Sequence, residues 1–128
     1  MTTIPETHRD LLNAQVGVLG TIGASGRPQL SGIWFLADGD TVKLSLNTAR
    51  QKVKNLQANP GASLLILDPA NPYRYLELRG DAQISPDPDY AFADLVGAKY
   101  GSDLRDRDNP GDTRVVVTII PARVIAWG

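Results

Sequence analysis

The stretch Leu44-Ser-Leu-Asn-Thr-Ala-Arg-Gln-Lys-Val-Lys-Asn-Leu-Gln-Ala-Asn-Pro60 reads as a strand that runs straight into a short helix. Val42, Leu44 and Leu46 alternate with Lys43 and Ser45, the period of two expected of a strand with one buried face. Asn47 or Thr48 can then cap a helix whose buried stripe is Ala49, Val53, Leu56 and Gln57, and Pro60 stands just past its end. The cations are placed against the usual preference. Arg50 and Lys52 fall in the first turn, where the helix dipole is already positive, at a cost of roughly 0.3–1 kcal/mol each if nothing answers them. A bound anion reverses that sign, because free N–H groups, dipole and cations converge on it. For any single Lys or Arg a solvated surface position is the plain alternative. Three basic residues in five positions (Arg50, Lys52, Lys54), directly behind a strand and a hydroxyl-bearing turn, point as readily to a phosphate site.

Outward from this stretch the chain is mostly strands. Val16 to Ile22 and Pro28 to Ala37 form a hairpin about the turn Gly23-Ala-Ser-Gly-Arg27, and Asp38-Gly39-Asp40 turns the chain back into Thr41 to Leu46. Beyond the basic helix, Ala62 to Leu67 is a continuous apolar strand, Pro69-Ala-Asn-Pro72 breaks the chain, and Tyr73 to Arg79 resumes alternation. Gly80 permits a bend or bulge before Asp81 to Ile84. Asp87-Pro88 reads as a helix start, Phe92, Leu95, Val96 and Lys99 as one face, and Gly101 as its end. Ser102 to Thr113 is a long charged loop of the kind that sometimes closes over a site. Val115 to Ile120 and Ala122 to Trp127 are the last strands, interrupted by Pro121. Near the amino terminus, Pro5, Leu11 and Leu12 suggest a short helix. Six or seven strands with two or three short helices predict a mainly β fold, a small antiparallel barrel plugged by helices, as one domain over residues 1–128. Leu64–Leu67 and Val115–Ile120 are apolar on both faces, so something must cover the outside. A second copy of the chain is the simplest cover, and a homodimer is expected.

Composition removes several function classes. A net charge of −1 gives no global field toward nucleic acid or a membrane surface, so anion recognition has to be local. The absence of cysteine excludes disulfides, thiolate metal sites and cysteine nucleophiles. No apolar run approaches the roughly 20 residues that span a bilayer, and the start Met-Thr-Thr-Ile-Pro-Glu-Thr-His8 lacks signal-peptide character, so a cytoplasmic location is expected. The single histidine, His8, has no companion ligands and is expected at the surface, with no metal site.

With these residues in view, the chain resembles the pyridoxamine 5′-phosphate oxidase-like split β-barrel superfamily, from about Leu11 to Gly128. The resemblance rests on Gly17-Val-Leu-Gly-Thr-Ile22, Gly26-Arg-Pro-Gln-Leu-Ser-Gly-Ile-Trp-Phe35, Arg50-Gln-Lys-Val-Lys-Asn-Leu56, Asn59-Pro60, Asp68 with Pro72-Tyr-Arg-Tyr75, Leu78-Arg-Gly-Asp-Ala82 and Pro121-Ala-Arg-Val-Ile-Ala-Trp127. Arg-x-Lys-x-x-Asn-Leu behind a strand, with Trp34-Phe35 in the strand before, looks most like the subgroup that binds the deazaflavin coenzyme F-420.

The resemblance implies a dimer with cofactor sites between subunits. It implies cofactor phosphate on Arg50 and Lys52, helped by Ser45, Thr48 and Gln51, with Gln29 and Ser31 along the ring. Lys54, Arg74 and Arg79 are spare cations for the acidic tail of coenzyme F-420, and Trp34, Phe35 and Trp127 are candidate ring contacts. The chemistry implied is hydride transfer from the reduced deazaflavin to an enone, lactone or quinone-like small molecule, with no catalytic side chain required and a proton from solvent or from Tyr73 or Tyr75. The chain stops at Gly128 without the longer carboxy-terminal segment of the vitamin B6 oxidases, which argues against that activity. FMN is the alternative cofactor of the same fold, and a non-catalytic deazaflavin-binding protein is the alternative outside enzymes.

Overall fold

A computed structural model gives the fold for residues 2–128. In chain order it comprises a 3-10 helix (Glu6–Asn13), β1 (Gly17–Ile22), β2 (Pro28–Ile33), β3 (Leu36–Asp38), β4 (Thr41–Asn47), α1 (Gln51–Ala58), β5 (Gly61–Asp68), β6 (Asn71–Pro86), α2 (Ala91–Tyr100), a second 3-10 turn (Leu104–Arg107) and β7 (Arg114–Trp127). The strands form one antiparallel sheet in the order β2-β1-β5-β6-β7-β4-β3. Its two edge strands, β2 and β3, are consecutive in the chain, and only Trp34 and Phe35 lie between them. Ile33 and Leu36 are three Cα steps apart, at most about 11 Å. A flat sheet of this width would hold its edges roughly 29 Å apart. The sheet must therefore curl until its edges meet at Trp34-Phe35, which makes it an antiparallel barrel split along one seam.

Alternation along the strands fills the interior. Leu19, Phe35, Val42, Leu44, Leu64, Ile66, Leu76, Leu78, Val117 and Ile119 are all fully buried. A smaller apolar cluster of Ala93, Val96 and Leu104, flanked by Trp34, Leu36, Tyr90, Phe92 and Tyr100, seats α2 and the 102–113 segment beside the seam.

Several elements depart from the sequence reading. Pro28 to Ala37 is two strands, because Phe35 turns into the core and its backbone leaves the ladder for α2. Its N–H donates to Tyr100 Oη (3.1 Å) and its carbonyl accepts from Lys99 Nζ (2.9 Å). The last two strands are one, β7, with Pro121 opposite Gly80 at a register shift. A Cβ on Gly80 would stand 1.9 Å from the Ile120 carbonyl oxygen, so close backbone approach fixes a glycine at the expected bulge. α2 begins three residues beyond Pro88, yet Asp87 still caps it, accepting from the N–H groups of Phe92 (3.2 Å) and Ala93 (2.9 Å). Its buried face is Ala93, Val96 and Gly97, small residues that let the helix lie close, while Leu95 is exposed. The amino-terminal helix is of the 3-10 type, and His8 within it is buried rather than at the surface. Its Nε2 lies 3.0 Å from the Trp127 carbonyl and its Nδ1 2.9 Å from Thr7 Oγ1. A carbonyl can only accept, so Nε2 carries the proton and Nδ1 accepts from the hydroxyl.

Candidate functional site

The cations identified in the sequence stand where β4 passes into α1. Asn47 bends the chain there: its Oδ1 accepts from Ala49 N–H (2.8 Å) and its carbonyl from Arg50 N–H (3.0 Å). The helix consequently starts at Gln51, with Arg50 in the capping position and no side chain capping it. Asn47 and Thr48 thus shape the turn but do not cap the helix, and the first N–H groups of the helix lack internal acceptors. The helix buries Val53, Asn55 and Leu56, while Ala49 and Gln57 are exposed. A buried amide is tolerated at Asn55 because every group is matched. Its Nδ2 donates to Gln29 Oε1 (2.7 Å) and Thr21 Oγ1 (3.1 Å), and its Oδ1 accepts from Gln51 (2.9 Å).

Arg50 and Lys52 open into a cleft of about 370 Å³ at the seam, within the size range of small-molecule sites. Its walls are Val16 before β1, Gly32, Ile33 and Trp34 at the seam, Ser45, Leu46 and Asn47 of β4, and Leu104, Arg107 and Arg114 from the far segment. Among the described residues no carboxylate lines it. Arg114 is neutralised from behind, donating through Nε (2.8 Å) and Nη2 (2.9 Å) to the buried Asp108. Arg50, Lys52 and Arg107 have no ion-pair partner among the described residues. Among the described residues Lys52 Nζ donates to Ser31 Oγ alone, at 3.3 Å. Its half-burial first, and then the charge of Arg50, hold its pKa below the ordinary lysine value.

Of the seven residues put forward for cofactor contact, Ser45, Arg50 and Lys52 line the cleft, and Ser31 is reached through Lys52. Gln29 and Gln51 are tied to Asn55, and Thr48 pairs with Thr113 (2.7 Å between hydroxyls). Trp34 forms an aromatic wall, stacked on Tyr100 with centroids 4.3 Å apart and planes within 4°. Phe35 belongs to the core, and the exposed Trp127 lies opposite Tyr75 outside the cleft. Two of the three spare cations are committed elsewhere: Arg74 pairs with Asp10 and Asp68, and Arg79 with Glu77. The sequence reading did not single out Leu104, Arg107, Asn47 or Arg114 as lining residues. The available signal was Arg107 and Arg114 set among four aspartates, which only the folded loop resolves into paired and unpaired charges.

The elements thus build a split antiparallel barrel with a cationic cleft at its seam, lined by no carboxylate among the described residues. The chain belongs to the pyridoxamine 5′-phosphate oxidase family, whose profile matches residues 4–128. Among solved structures it is similar to an F-420 reductase, with 36% identity over 95% of this chain and 98% of that one and a TM-score of 0.84. It is also similar to a conserved hypothetical protein from Mycobacterium tuberculosis (25% identity, 98% of this chain, 85% of that one, TM-score 0.74). General stress protein 26 from Bacillus anthracis (20% identity, 95% and 92% coverage, TM-score 0.73) shares the fold.

Proposed function

We propose that the protein is a coenzyme F-420-dependent reductase of electron-poor small molecules, such as an enone, a lactone or a quinone-like compound. The observation that carries this reading is the pair Arg50 and Lys52, two unpaired cations in an acid-free cleft at the uncapped start of α1. Left alone, the two repel. A phosphate between them turns that repulsion into two charge-assisted contacts. The similarity to an F-420 reductase over nearly the whole chain supports the deazaflavin over FMN.

The residues present fit such a group. Arg50 and Lys52 would hold its phosphate, with the Ser45 and Ser31 hydroxyls beside them, and Gly32 to Trp34 would flank its ring. When bound, the reduced deazaflavin supplies a hydride and little one-electron chemistry. The chain's part is to bind, to hold the acceptor's double bond flat, and to keep water from the reacting face. Among the described residues of one chain no Asp, Glu, His or Tyr lines the cleft, which favours solvent at its mouth over Tyr73 or Tyr75 as the proton source. We read the active form as a homodimer.

Titration of the purified protein with coenzyme F-420 and with FMN, followed by absorbance and deazaflavin fluorescence, tests the proposal. Tighter binding of the deazaflavin, and loss of the reduced cofactor's signal with members of an enone panel, are expected. Preference for FMN replaces the cofactor assignment, and tight deazaflavin binding without turnover makes the protein a carrier.

A further inference from the structure

The loop side of the cleft carries a cation, Arg107, apart from the Arg50 and Lys52 pair assigned to the cofactor phosphate. Segment 102–113 holds four aspartates, yet Arg107 pairs with none of them. Arg105 is bound to Asp94 and Asp103, and Arg114 to Asp108. The Arg107 guanidinium instead lies over the indole of Trp34, 4.5 Å from the ring centroid. Both supports are fixed. Trp34 rests on Tyr100, whose hydroxyl is hydrogen-bonded to the Phe35 backbone. On the loop, Leu104 is buried and Asp108 is anchored by Arg114, Tyr90 (2.6 Å) and Asn47 (2.9 Å). Attraction to the ring face holds the guanidinium in place, while its planar fork of N–H donors finds no acceptor among the described residues. The two cations have separate anchors, Lys52 on the Ser31 hydroxyl within β2 and Arg107 on the Trp34 ring just beyond the strand's end.

Resting on the reductase reading, which assigns Arg50 and Lys52 to cofactor phosphate, we propose that Arg107 is the specificity residue for the second reactant. It receives a carboxylate carried by the acceptor molecule, whose conjugated part meets the edge of the Trp34 indole, since Tyr100 and Arg107 cover the two ring faces. The preferred substrates are thus conjugated carbonyl compounds that bear a carboxylate. A guanidinium fork suits that group because it can meet both oxygens at once.

The first test needs no cofactor. In a Trp127→Phe background Trp34 is the remaining tryptophan, since the chain has two, and its fluorescence is titrated with benzoate and with neutral benzamide. Benzoate is expected to bind at least about ten-fold tighter, the scale of a hydrogen bond to a charged group. Arg107→Met should abolish that preference and Arg107→Lys keep part of it. Equal binding of the two probes overturns the proposal, as does a preference that survives Arg107→Met or is lost only in Lys52→Met. The second test uses the cofactor-loaded protein with a carboxylate-bearing enone and its methyl ester. Arg107→Met should raise KM for the acid about ten-fold more than KM for the ester; an equal change for both substrates overturns the assignment. A ten-fold loss of deazaflavin affinity in Arg107→Met overturns it too, by giving the residue to the cofactor. Arg107-dependent benzoate binding without turnover of either enone would uphold the anion site and overturn the reductase reading.

Discussion

Lys52 shows how a single residue separates function from stability. It is half-buried, close to Arg50 and without an acidic partner, so the folded state carries it at a cost. Lys52→Ala should weaken deazaflavin binding by roughly 1.5–3 kcal/mol, the scale of a hydrogen bond to a charged group. Because the substitution also removes a repulsion, urea unfolding of the cofactor-free protein should be unchanged or slightly harder. A folding defect with unchanged affinity would make the residue structural. The pH dependence has a definite sign. The free protein's Lys52 has a lowered pKa, and a bound anion raises it again. Affinity is therefore full while Lys52 is protonated in the free protein and declines as alkaline pH passes that lowered value. In this range binding takes up protons, and calorimetry in buffers of different ionisation heat reads the uptake. The pair Arg50 and Lys52 was legible from the sequence because dipole and charge are local properties. Asn55 was not: its partners Thr21 and Gln29 are remote in sequence, and without them an amide looks misplaced on a buried face.

At the scale of elements, the segment from Ser102 to Thr113, a long charged loop in the sequence, is pinned to the barrel by its aspartates. Asn47 Nδ2 donates to Asp108 and to Asp112, both at 2.9 Å, which ties the end of β4 to the segment. Burial alone would raise the Asp108 carboxyl, but hydrogen bonds from Arg114, Tyr90 and Asn47 outweigh it and hold the pKa at about 2. A carboxyl depressed in the folded state stabilises fully above its unfolded value, near 3.9, and loses that contribution as pH falls toward 2. The loss is on the order of 2–3 kcal/mol. Asp108→Asn should cost about 3 kcal/mol or more at neutral pH, because Arg114, only 7% exposed, keeps its charge without a counter-charge. Denaturant unfolding of both proteins at neutral pH and at pH 2 checks this. The gap between them should narrow in acid, and a gap independent of pH would show that Asp108 acts through its shape. The sequence showed the aspartates but not their assignment, since Asn47 and Asp108 meet only after β4 and β7 pair. The α2 face was misread for a related reason: Ala93 and Gly97 matter through how closely they let the helix approach, which hydrophobicity does not encode.

For the whole molecule, strand number and the Gly80 bulge were legible from alternation and turn chemistry, whereas the seam was not, because Trp34-Phe35 continues the strand pattern and only closure of the sheet forces a break there. That closure leaves an outer face with large apolar side chains that stay exposed among the described residues. Leu30 is 69% exposed on edge strand β2, and Ile120 is 36% exposed beside the bulge. Between β1, β2, β5 and the bulge runs a groove lined by Gly20, Pro28, Leu30, Ala62 and Ala122, with Asp81 and Arg123 at its rim. Neither rim charge has an ion-pair partner among the described residues. A two-fold axis through this face would bury Leu30 and Ile120, an arrangement in which one patch serves both subunits. The homodimer we propose should therefore be a stable one, with sedimentation mass twice that of the chain at micromolar concentration. Leu30→Glu places a charge at the centre of the face and should give monomers. Because Leu30 is already exposed in the single chain, the monomer itself should remain folded by circular dichroism. If the cofactor sites lie between subunits, the same variant should also lose deazaflavin affinity with Arg50 and Lys52 intact. A Leu30→Glu protein that still sediments as a dimer would remove this face from the interface, and a wild-type protein that sediments as a monomer would remove the dimer altogether.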